Sequence, residues 1–178
     1  MKHRTKTLKM ILAALFLALA YVMPFLTGQI PEIGAMLCPM HVPVLLCGFL
    51  CGWPWGLCVG FVAPLFRSLL TGGFPPLFPT AVCMSFELAA YGAVSGLLHR
   101  LLPKKKTCVY LSLFSAMLVG RLVWGVAMLL CLGAGAFGFD AFFAGAVTGA
   151  LPGIAVQIVL IPVLVILTEQ LNFLDLRD

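Results

Sequence analysis

The chain has 178 residues, of which 62% are hydrophobic and 10% charged, and its mean hydropathy is +1.13. A water-soluble globular domain, with about a quarter of its residues charged, is excluded by these values. The net charge of +5 would suggest nucleic acid in a soluble protein, but here its placement along the chain is a signal of membrane topology.

About 20 apolar residues cross a bilayer as a helix. On that measure the sequence predicts an all-α membrane protein: a compact bundle of about six transmembrane helices, forming a single integral membrane domain over 1–178. The predicted spans are 8–26, 35–52, 55–70, 79–99, 108–131 and 141–168. The first follows the basic stretch KHRTKTLK. With Ala18-Leu19-Ala20 it resembles a secretory signal and its cleavage site. The reading preferred here is a retained helix, whose Ala14 and Ala18 lie four apart and offer a face of small residues for close helix contact.

The connection TGQIPEIGAMLCPM, 27–40, carries Glu32 and leads to His41, which Pro39 and Pro43 bracket. Two prolines so close are expected to break the second span there. Trp53-Pro54-Trp55-Gly56 is expected to be a tight turn between the second and third spans, with its indoles at the membrane–water boundary. Arg67 follows in the third span, then TGGFPPLFPT, 71–80. This connection and 27–40 are each open to two readings, a semi-rigid lid or an ordinary helix link. Glu87 and Tyr91 lie in the fourth span, Arg121 and Trp124 in the fifth, and Gln157 in the sixth, after a segment rich in small residues, GAGAFGFDAFFAGAVTGALPG.

Six spans put both termini on one side. Lys2, Arg4, Lys6, Lys9, Arg100, Lys104, Lys105, Lys106 and Arg177 all fall on that side, and only Arg67 and Arg121 lie within spans. The positive-inside rule therefore places both termini in the cytoplasm. The seven cysteines are scattered through apolar runs without metal-ligand spacing and are read as small packing residues. No metal, cofactor or nucleic-acid partner is called for.

At 1.5 Å of rise per residue, Arg67, Glu87, Arg121 and Gln157 all come out about 17–20 Å from the inner face. His41 joins them if its span is helical up to that point. Polar groups from several helices at one depth indicate an interior site, because each would cost several kcal/mol facing lipid. A lone structural ion pair accounts for Glu87 and one arginine; the second arginine is left over, with a guanidinium fork suited to a ligand. Tyr91, Trp124, Phe66, Phe74, Phe78 and Phe86 supply aromatic walls. The expected substrate-binding set is thus His41, Arg67, Glu87, Tyr91, Arg121, Trp124 and Gln157, around a small organic molecule. Arg67 and Arg121 suit a carboxylate such as pantothenate. Glu87 suits the N–H edge of an aromatic heterocycle, and this second chemistry is favoured.

The stretches MLCPMHVPVLLCGFLCGWPWG, PLFRSLLTGGFPPLFPTA and FELAAYGAVSGLLHRLLP, with the plan of six short spans and a basic loop after the fourth, resemble the substrate-binding S component of an energy-coupling factor (ECF) vitamin transporter. The resemblance implies a bacterial plasma-membrane subunit that captures a vitamin or precursor in an outer-half pocket. It also implies docking on a transmembrane coupling protein with two cytoplasmic ATPases, through small residues of the first span that Ala14 and Ala18 match. No G-x-x-x-x-G-K-[ST] phosphate loop occurs in the chain, so ATP would be handled by the partners. Two competing readings are a membrane scaffold whose polar layer only locks helix register, and an intramembrane enzyme using His41 and Glu87 as acid and base. The enzyme reading lacks any H-E-x-x-H or G-x-S-x-G motif.

Overall fold

The computed structural model describes residues 2–27, 37–103, 105–133, 135, 137–146 and 148–170. Among them the chain is helical, without a strand. Helix α1, Lys2–Val22, runs into a 3-10 turn at Met23–Thr27, where Pro24 cannot donate to the α ladder. Then come α2, His41–Cys51; α3, Trp53–Leu70; α4, Val82–Leu101, entered through a single π turn at Leu77–Ala81; and α5, Lys106–Leu132. The last helical stretch is divided into α6, Phe139–Ala146, a 3-10 turn at Thr148–Ala150, and α7, Leu151–Gln170. Five segments, counting 139–168 as one, are long and apolar enough to cross a membrane, and α2 is a shorter apolar helix.

Two local expectations need correction. The second span is not a full crossing helix over 35–52: its helix has 11 residues, about 16 Å of rise. It starts at His41, after a turn in which the His41 N–H donates to the Cys38 carbonyl at 3.0 Å, and Pro43 falls within its first turn, where a missing N–H breaks nothing. The segment Trp53–Gly56 is not a turn but the opening of α3, with Pro54 in its first turn. Gly52 alone reverses the chain, at φ 97°, a conformation that side-chain-bearing residues rarely adopt. The sixth span agrees with a single apolar stretch over Phe139–Thr168, which contains a 3-10 turn at Thr148–Ala150 just before Pro152 in the first turn of α7, where proline is tolerated.

Helix α4 is the hub, packed on α3, α5 and α2, while α1 covers α2 and α3, and α7 meets α2 and α5. Near the basic end the α2–α3–α4 contact is built from glycines. A Cβ on Gly56 would lie 2.5 Å from the Gly92 carbonyl oxygen, and one on Gly96 would lie 2.5 Å from the Trp53 nitrogen. Backbone therefore rests on backbone, the arrangement that lets membrane helices gain dispersion energy without a hydrophobic driving force. Outward faces are apolar, with Leu69 72% and Leu130 80% exposed, as a bilayer-facing surface requires. On α1, Ala13, Phe16 and Ala20 point into the bundle, and Ala14 and Ala18 lie on its exposed face.

Candidate ligand-binding site

At the end of the bundle remote from the basic loop, the helices that touch through glycine stand apart around a cavity of about 380 Å³. Its wall includes His41 at the start of α2, Arg67 in the last turn of α3, Met84 and Glu87 on α4, and Arg121 and Trp124 on α5. The 71–80 connection contributes Phe74, Pro75, Pro76 and Thr80, so it forms part of the enclosure. The Thr71 hydroxyl anchors it by donating to the Arg67 carbonyl at 2.7 Å, and Thr71 also bonds the Phe74 carbonyl. Its Phe74–Pro75 and Phe78–Pro79 peptide bonds are cis. The companion connection, 27–40 with Glu32, lies largely outside the described residues.

The charges divide into two sets. Glu87, 2% exposed, accepts from Arg121 Nη1 at 2.9 Å, and His41 Nε2 lies 3.4 Å from the same carboxylate oxygen. Arg121 also reaches Cys38 Sγ, at 3.7 Å, through Nη2. Glu87 is therefore already neutralised by a helix-to-helix ion pair. Arg67 stands outside this pair: it is 3% exposed, and no carboxylate among the described residues lies in ion-pair range of it. The rings of Phe25 and Phe74 flank its guanidinium, with centroids at 5.8 and 6.0 Å. Such contacts offset only part of the cost of burying a cation. Among the described residues three buried nitrogens are left without a hydrogen-bond partner, namely His41 Nδ1, Arg67 Nη1 and Arg121 Nε. In native proteins such atoms are few and call for a physical explanation.

Of the expected residues, His41, Arg67, Glu87, Arg121 and Trp124 meet on one wall. Tyr91 stands one turn behind Glu87, 1% exposed, with its ring edge-on to His41 at 5.1 Å. It is a support for the histidine rather than lining. Gly120 makes that position possible, because a Cβ there would lie 3.1 Å from the Tyr91 ring. Gln157 is buried on α7 but is not part of the cavity wall. Among the expected aromatic walls only Phe74 and Trp124 line the space; Phe66, Phe78 and Phe86 are 41%, 63% and 48% exposed. Trp124 is held edge-on by Phe137 and stacked by Phe142, at 5.6 and 6.3 Å, and Gly145 leaves room for its ring.

Met84, Cys38 and Gly145 are lining residues that sequence reading missed. Met84 carried a usable signal, lying one turn from both Thr80 and Glu87 on the same face of the helix. Cys38 carried none, because its place depends on a non-helical residue at φ 47°.

No curated protein and no solved structure matches the chain. A family model, that of the substrate-specific component of ECF transporters, matches residues 8–167. Such components are transport subunits rather than enzymes; they take a small-molecule substrate and associate with an ECF transporter module. A multi-pass apolar bundle with a cavity at one end, largely apolar but walled in part by charged side chains, agrees with that role. By a match spanning nearly all of its length, the chain belongs to the family of ECF transporter substrate-specific components.

Proposed function

We propose that this subunit captures a vitamin-like organic anion in the outer-half cavity, with a carboxylate on Arg67 and a flat or apolar body between Phe74 and Trp124. It hands that ligand to a coupling protein and two ATPases docked on the Ala14–Ala18 face of α1. The observation that carries this reading is the buried Arg67 guanidinium on the cavity wall with an unbonded Nη1. A carboxylate matches the guanidinium fork and supplies a countercharge that none of the described residues gives Arg67. The heterocycle chemistry favoured by the sequence loses ground, because the Glu87 carboxylate is already charge-paired with Arg121, and Arg121 and His41 converge on its Oε1. In this reading Glu87 sets the positions of Arg121 and His41, and Tyr91 sets the ring plane of His41. Gln157 holds α7 against the bundle.

The test is mass spectrometry of the small molecule that co-purifies with the protein, followed by binding measurements on wild type and Arg67→Gln. A charge-assisted pair of hydrogen bonds supplies about 2–3 kcal/mol. The variant should therefore bind about 30–160-fold more weakly while its ligand-free form melts no lower than wild type. A bound molecule without an anionic group, or an Arg67→Gln variant of undiminished affinity, would refute the assignment.

A further inference from the structure

The seven cysteines read from sequence as inert packing are not equivalent in space. Cys83, in the first turn of α4, and Cys131, in the last turn of α5, bring their sulfurs to 3.6 Å. Both helices turn these ends away from the basic loop, so the pair lies at the outer end of the bundle under the positive-inside rule. Cys83 is buried and Cys131 is partly exposed beside the end of its helix at Gly133. Of the two thiols Cys131 is the more accessible, and Cys83 stands behind it. Cys83 precedes Glu87 by one turn on the same face of α4, and Cys131 follows Trp124 by two turns on the same face of α5. A link here would join the two helices that the Glu87–Arg121 pair joins deeper in the bundle.

We propose that Cys83 and Cys131 are a disulfide-forming pair, oxidised by disulfides of the outer compartment, which lock the α4–α5 register beside the cavity. The step balances without an unnamed oxidant. The Cys131 thiolate attacks an external disulfide, forming a mixed disulfide and expelling one thiolate. The Cys83 thiolate then attacks the Cys131 sulfur and expels the second. The two protons released by the cysteines go to the leaving thiolates, so two protein thiols are oxidised and the external disulfide is reduced to two thiols. From 3.6 Å the sulfurs must approach to the roughly 2.05 Å bond length. The proposal rests on the helix geometry and is independent of which ligand the cavity takes.

The experiment uses the full-length protein in membrane vesicles, treated with oxidised glutathione, alkylated without reduction, and mapped by peptide mass spectrometry. Alkylatable thiols should fall from the seven of the sequence to five, with a Cys83–Cys131 cross-linked peptide that disappears on reduction. In Cys83→Ser the expected product is a stable glutathione adduct on Cys131, because the resolving thiol is gone; this variant also separates the chemistry from any folding defect. Alkylation of both residues after oxidant treatment, a persistent glutathione adduct on wild-type Cys131, or a link from either residue to Cys38 would each overturn the proposal.

Discussion

The two ends of the same three helices differ in what lies between them. At the basic end α2, α3 and α4 meet through Gly48, Gly56, Gly92 and Gly96 so closely that a single methyl has no place. At the other end α2, α3, α4 and α5 surround about 380 Å³, walled by two arginines, a glutamate and a histidine. The tight end is uncharged at its contact, and its free energy comes from backbone packing. The open end holds buried charge, which costs stability unless something pairs with it. The contrast teaches that two tasks are separated along the bundle: the glycine seam holds α2, α3 and α4 together, and the cavity end carries buried charge that packing this close would exclude.

The strongest way to break this comparison is to fill the seam. Gly92→Val places a branched side chain against the Gly56 backbone, and overpacking of this kind costs about 3 kcal/mol or more when backbone is the obstacle. The purified variant should lose its monodisperse folded peak on size exclusion in detergent. A variant that folds with an unchanged melting midpoint would show that the seam is loose.

The next largest effect belongs to the ion pair at the open end. Glu87→Gln leaves Arg121 buried without its countercharge, a loss of about 3 kcal/mol, read as a lower thermal midpoint without ligand. Replacing both partners by apolar residues, Glu87→Leu with Arg121→Met, should recover most of that midpoint while ligand binding stays lost. If the double variant melts as low as the single one, the pair is not what stabilises the α4–α5 contact.

The smallest effect sharpens the distinction between wall and lipid face. Phe74 lines the cavity and flanks Arg67, whereas Phe78, four residues on, is 63% exposed on the outside. Phe74→Leu should weaken ligand binding about fivefold, the equivalent of about 1 kcal/mol, and Phe78→Leu should leave affinity within the error of calorimetry. Equal effects from the two would mean that the 71–80 connection moves as one hydrophobic unit.

Much of the site was legible because polar groups in an apolar sequence are conspicuous. Counting helical rise placed Arg67, Glu87 and Arg121 at one level, and the structure brings all three to one cavity. Gln157 met the same depth criterion and does not line the space. Depth along a helix says nothing about the direction in which a side chain points. The same gap separated Phe74 from Phe66, Phe78 and Phe86, which differ in azimuth and not in composition. The local break was legible at Pro39, which lies just before the start of α2 at His41, whereas Pro43 sits within the first turn of that helix and interrupts nothing. The Trp53–Gly56 expectation failed because proline serves helix starts as well as turns, and the neighbouring Gly52 took the reversal.

Composition and the placement of Lys and Arg determined that this is a multi-span helical membrane protein and which end carries the basic loop, because bilayer insertion responds to apolar length and flanking charge, both properties of the linear chain. Which arginine pairs with Glu87 and which stands outside that pair was decided only in three dimensions. Either guanidinium suits the carboxylate chemically, and only the packing of α4 on α5 brings Arg121 within 2.9 Å of it while Arg67 is held between two aromatic rings.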